Sequence, residues 1–167
     1  MANCDKPIRL GVLLSGGGRT LLNLLDEVDA GRLNVDVVAV IGSRPCKGLD
    51  RAEARGLATH MVNYKAMPDA ETYSERLTEL LDAADVDLVI LAGFLSPYLL
   101  PDRYLGRVMN IHPALLPKFG GKGMFGHHVH EAVLAAGETV SGCTVHFVTN
   151  EYDDGPTILQ KTVEVRP

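Results

Sequence analysis

The 167-residue sequence predicts an α/β fold with a parallel sheet. Three observations carry this. Nearly all-apolar runs at Ile8–Leu14, Val35–Ile41 and Val86–Ala92 have the composition of strands buried on both faces. Segments with apolar residues at helical spacing alternate with them, and that alternation gives parallel strands joined by right-handed crossovers. Turns rich in glycine or proline follow the strand ends, where open α/β sheets place their ligands.

The first run enters Ser15-Gly16-Gly17-Gly18-Arg19-Thr20 and then an amphipathic helix carrying Leu21, Leu22, Leu25 and Val28, closed near Gly31. A strand, a glycine turn and a helix N-terminus together favour an anion, because bare N–H groups and the helix dipole point the same way. The turn is not a P-loop, since no Lys-Ser/Thr follows the glycines, and it does not fit G-x-G-x-x-G. The second strand ends in Gly42-Ser43-Arg44 rather than in an acid that could hold an adenosine ribose. A small phosphorylated metabolite therefore fits better than a dinucleotide. Arg19 adds a charge that can fork onto phosphate or equally face solvent, and the glycines would also suit a tight turn with no ligand.

Gly48–Arg55 reads as a short helix ended by Gly56, and Thr59–Val62 as a brief strand. Pro68-Asp69 opens a helix whose Tyr73, Leu77, Leu80 and Leu81 form its core face. After Val86–Ala92 comes Gly93-Phe94-Leu95-Ser96-Pro97-Tyr98, an apolar turn able either to wall a flat ligand or simply to pack. Phe119–Gly126 holds four glycines and reads as a loop. His127–Ala136 reads as a helix stopped at Gly137. Its histidines at 127, 128 and 130 lack a companion acid or thiol at ligand spacing, so no metal is expected and His130 is the one assigned to a cleft. Gly142–Val148 and Thr157–Val165 read as the last strands, separated by the acidic turn 150–156.

Met109-Asn110-Ile111-His112-Pro113 is the stretch that carries chemistry. Alternate residues of an extended segment share a face, so Asn110 and His112 arrive together at a strand end. An amide N–H stabilises a developing oxyanion and an imidazole moves protons near neutral pH, as acyl transfer requires. Taken alone, the same pair could be a polar loop bonding its own backbone. Bringing Asp153 to His112 would orient the imidazole and favour its charged form.

Bulk properties narrow the class. The length suits one domain over residues 1–167. The net charge of −5 leaves no basic surplus for nucleic acid. Cysteines at 4, 46 and 143 form no Cys-x-x-Cys pair and fit reduced thiols, so a cytoplasmic location is expected. No signal-peptide pattern opens the sequence, and the apolar stretches are too short to span a bilayer. Small-molecule substrates, with neither nucleic acid nor membrane as partner, follow as the expectation, in a monomer or homodimer.

Asn110-Ile-His112-Pro-Ala-Leu-Leu-Pro, Gly142-Cys-Thr-Val-His146-Phe-Val and Asp153-Asp-Gly155-Pro156 with Ile158-Leu-Gln160 resemble motifs of the folate-dependent formyltransferases. Leu14-Ser15-Gly16-Gly17-Gly18 and Leu91-Ala92-Gly93-Phe94 extend the likeness through nearly the whole chain. The resemblance implies a Rossmann-like, open, mostly parallel sheet with helices on both faces and an antiparallel C-terminal strand region. It implies formyl transfer from 10-formyltetrahydrofolate to the amine of 5-phosphoribosylglycinamide, with Asn110, His112 and Asp153 catalytic and no metal. It also implies a phosphate subsite at Gly16, Gly17, Gly18, Arg19 and Thr20. The folate would be bordered by Phe94, Leu95, Asn110, Thr149, Asn150, Glu151 and Tyr152. A formyltetrahydrofolate hydrolase, another amine formyltransferase and a non-catalytic folate- or phosphate-binding remnant are the alternatives. The chain departs from the pattern at Arg19-Thr20, where Ser-Asn is common, at Ala70 in place of a basic residue, and after Phe94, where an Arg is common. Relatives run on into a further C-terminal helix, so the single domain is expected to be C-terminally short.

Overall fold

The computed structural model describes residues 6–166. The chain forms two compact units, Met1–Leu99 and Leu100–Pro167.

The first unit contains β1 (Ile8–Leu14), α1 (Arg19–Asp29), β2 (Val35–Gly42), α2 (Lys47–Ala54), β3 (Thr59–Met61), α3 (Ala70–Ala83) and β4 (Leu88–Leu91). Its strands lie in the order β3-β2-β1-β4, and every pairing is parallel. Alternation along β1 sends successive side chains to opposite faces. Leu10, Val12 and Leu14 pack with Leu21 and Leu25 of α1 and with Leu49 and Ala52 of α2. Gly11 faces the other way, and a Cβ there would stand 2.7 Å from Leu81 of α3. Helices therefore cover both faces of this parallel sheet, as expected from the sequence.

Local chemistry sets the boundaries. Asp69 caps α3 by accepting the Thr72 N–H at 2.7 Å. Gly31 and Gly56 follow α1 and α2 with φ of 69° and 71°, the left-handed turn that ends a helix cheaply at glycine. Tyr73, Leu77 and Leu81 are fully buried, whereas Leu80 is only half-buried at the edge of that face. β4 is shorter than the apolar run 86–92 because the Val86 N–H closes the end of α3 on the Leu81 carbonyl.

The second unit contains β5 (Val108–His112), α4 (His127–Ala135), β6 (Val140–Phe147) and β7 (Thr157–Glu164). β6 pairs antiparallel with both β5 and β7. β6 begins at Val140, two residues before Gly142, and a Cβ on that glycine would strike the Lys161 carbonyl of β7. Every residue of β7 is exposed, so Ile158 and Val163 present apolar surface to solvent. No helix among the described residues is long and apolar enough to cross a membrane.

Candidate active site

β5 delivers Asn110 and His112 to one face, and its antiparallel register sets His146 of β6 opposite Asn110 and Thr144 opposite His112. Four polar side chains thus meet where two strands each contribute alternate residues. The acidic turn adds Asp153, which sits at φ 54° with its side chain 13% exposed. His112 is 3% exposed and His146 2%.

The hydrogen bonds assign the ring nitrogens. His112 Nε2 lies 2.7 Å from the Phe119 carbonyl, which only accepts, so Nε2 carries a proton. Its Nδ1 faces Asp153 Oδ2 at 3.5 Å. His146 Nδ1 donates to the Phe147 carbonyl at 3.0 Å, which leaves Nε2 to accept from Asn110 Nδ2 at 3.2 Å. The amide of Asn110 keeps its second N–H for a ligand. Asp153 Oδ1 stands 3.6 Å from His146 Nε2, just beyond a good hydrogen bond.

Burial pushes the Asp153 carboxyl up, but the His146 side chain, the Gly121 N–H at 3.0 Å and the charge of His112 outweigh it and hold the group below its ordinary value. A carboxylate depressed in the folded state stabilises the fold above its unfolded pKa of about 3.9, and that contribution is lost as pH falls through the folded value. Urea midpoints should therefore fall below pH ~4 in the native chain and fall less in Asp153→Asn. Equal losses in the two proteins would remove this carboxylate from the acid sensitivity.

Thr144, fully buried, ties down the chain after His112. Its hydroxyl donates to the Ala114 carbonyl at 2.7 Å and accepts from the Leu116 N–H and from Gln160 Nε2, each at 3.0 Å. Asn150 anchors the acidic turn, bonding the Leu100 N–H through Oδ1 at 2.8 Å and the Leu100 carbonyl through Nδ2 at 3.3 Å. Its amide is committed to that strap, so the turn offers ligands its backbone. Thr149 bonds Glu151 locally, and the N–H groups of Tyr152, Asp153, Asp154 and Gly155 donate to nothing among the described residues.

In the first unit the glycine turn meets α1 with Gly18 at φ 72°. The Ser15 hydroxyl bonds Ser43 at 2.6 Å and the Leu95 N–H at 2.9 Å, which links the turn to the loop after β4. Arg19 is exposed, Thr20 half-buried, Phe94 half-buried and Leu95 52% exposed. His130 is exposed on α4, as are His127 and His128. No group of three or more His, Cys, Asp or Glu able to hold a metal occurs among the described residues.

The formyl transferase family model matches residues 8–167. The chain belongs to the formyl transferase family. It is 40% identical over 158 residues to the phosphoribosylglycinamide formyltransferase of Escherichia coli K12, covering 92% of this chain and 72% of that one. It is 38% identical over 161 residues to the chloroplastic phosphoribosylglycinamide formyltransferase of Arabidopsis thaliana, covering 94% of this chain and 55% of the relative. Against the trifunctional purine biosynthetic protein adenosine-3 of Drosophila melanogaster, identity is 42% over 164 residues, 95% of this chain and 12% of the relative. The solved glycinamide ribonucleotide transformylase 1 of Symbiobacterium toebii superposes with a TM-score of 0.86 at 40% identity, over 96% of this chain and 75% of that one. The chain thus spans only part of the length of these relatives.

In this formyl transferase chain, the structure brings together the Asn110, His112 and Asp153 expected from the sequence. Reading the residues one by one did not place His146, Thr144 or the Phe119 carbonyl at that cluster. The signal was present as two polar residues, two apart, in the otherwise small or apolar run 142–148. Their pairing with 110 and 112 depends on strand register, which spacing within one strand does not reveal.

Proposed function

We propose that this chain transfers a formyl group from 10-formyltetrahydrofolate to the amine of 5-phosphoribosylglycinamide, as a cytoplasmic monomer or homodimer. The observation that carries the reading is the buried network in which one carboxylate faces two imidazoles, one of them bonded to the Asn110 amide. The donor supplies a formyl carbon attached to a nitrogen leaving group. Asn110 gives its second N–H to the formyl oxygen as the acceptor amine bonds to that carbon and the oxygen gains charge. His112, with Asp153 against Nδ1, holds its Nε2 proton for the departing nitrogen, once the Phe119 carbonyl yields that position to the reacting groups. The amine loses one proton and the leaving nitrogen gains one, so transfer consumes no water.

The other residues have supporting parts. Gly16, Gly17, Gly18, Arg19 and Thr20 would hold the acceptor's phosphate. In the first unit Phe94 and Leu95 offer apolar surface to a flat ring; in the second, the turn offers the N–H groups of Tyr152, Asp153, Asp154 and Gly155 to a polar ligand. Side chains supply the charge stabilisation and proton movement, so the proposal calls for no metal.

The test is direct. Purified chain given both substrates should form tetrahydrofolate and formylated acceptor one to one. Formate released without acceptor would instead indicate a hydrolase, formylation of a different amine another transferase, and folate binding with no turnover a non-catalytic remnant.

A further inference from the structure

Three consecutive carbonyls of the glycine turn are each taken by a donor from the segment running from the end of β2 into α2. Ser15 O accepts from Arg44 Nε at 2.8 Å, Gly16 O from the Gly48 N–H at 2.9 Å, and Gly17 O from Arg51 Nη1. The peptide bonds here are trans, and in a trans peptide the carbonyl and the following N–H point in opposite directions. Fixing these three oxygens therefore turns the N–H groups of Gly16, Gly17 and Gly18 away from that segment. None of the three donates to any group among the described residues. The left-handed Gly18 continues the row into the start of α1, and successive amides in such a run form a concave anion cradle. Packing leaves the turn little freedom. A Cβ on Gly18 would stand 2.8 Å from Gly48 Cα, and one on Gly48 would stand 2.8 Å from Gly16 O.

We infer that Arg44 and Arg51 are positioning residues for the acceptor's phosphate, acting through the turn's carbonyls rather than by touching the phosphate. The inference rests on the proposed reading of this turn as the phosphate subsite. Both side chains reach back from exposed positions to a backbone oxygen, so their contribution is aim as well as charge. The two can be separated. A through-space charge is screened by salt beyond a Debye length of about 8–10 Å, whereas the orientation of an amide is not.

The experiment uses the full chain, labelled with 15N and titrated with ribose 5-phosphate, with ribose as control. In the native chain the Gly16, Gly17 and Gly18 amide signals should move saturably with ribose 5-phosphate and stay in place with ribose. In Arg44→Gln and Arg51→Gln, amides outside the turn should keep their native positions. Ribose 5-phosphate affinity should fall about tenfold, the scale of one hydrogen bond to a charged group. That ratio should persist when sodium chloride is raised to several times its starting concentration. Variants that bind as tightly as the native chain, or whose defect disappears in high salt, would overturn the positioning role while leaving the subsite in place. Native amides that ignore ribose 5-phosphate would overturn the subsite and the positioning role together.

Discussion

Replacing His112 by alanine is expected to lower kcat about 10³-fold while leaving affinity for the formyl donor within about twofold, since positioned proton transfer is worth 10²–10⁴-fold. The asymmetry follows from what the imidazole does. In the proposed mechanism its Nε2 proton matters when the leaving nitrogen takes charge, and removing a group that acts only in the transition state lowers kcat without changing ground-state binding. Asp153→Asn should cost less, about 10²-fold, on the same scale. Asparagine keeps an oxygen for the Gly121 N–H, yet it gives His112 Nδ1 no charge. Steady-state kinetics with both substrates varied, beside equilibrium binding of the donor, separates the two quantities. A native kcat in His112→Ala would remove this ring from the chemistry. Lost donor binding at an unchanged kcat would make it a binding residue instead.

Asn110→Ala should lower kcat by about 10²–10³, the range for removing one donor from an oxyanion site. The fold itself orients the amide, because one N–H is spent on His146 Nε2 and His146 is held by the Phe147 carbonyl. That arrangement spares the reaction the cost of turning the amide. Asn110→Gln keeps the donor but moves it by one methylene, so its kcat should lie between those of the native chain and the alanine variant. Stopped-flow single turnovers, which exclude product release, are the appropriate measurement. An alanine variant with a native single-turnover rate would mean that the developing charge is stabilised by other donors.

The sequence made the strand and helix pattern readable because buried parallel strands and amphipathic helices impose different periods, and β1, α1, β2 and α3 are strong examples of each. It was less informative where one residue serves two elements. Val86 reads as strand by its apolar neighbours but closes α3 instead. Asn110 and His112 were legible as a pair because they occupy one strand at a spacing of two. Asp153 was harder to place. Its approach to His112 depends on a left-handed φ, on Asn150 gripping Leu100, and on a glycine at 155 whose Cβ would meet the Phe147 carbonyl. None of these leaves a periodic trace, so the sequence offered Asp153 as a candidate acid without placing it, and resemblance to relatives strengthened the choice. Arg44 and Arg51 look in the sequence like two surface cations, and only the fold brings them to backbone oxygens.

In the proposed mechanism the His112 imidazole and the Asp153 acid work as a single unit. The most direct measurement of that coupling is kcat for His112→Ala, Asp153→Asn and the double variant under one set of conditions. Because Asp153 acts through His112, the double variant should be about as slow as His112→Ala alone, the non-additivity expected of coupled groups. Penalties that multiply in the double variant would show two independent contributions and contradict the account.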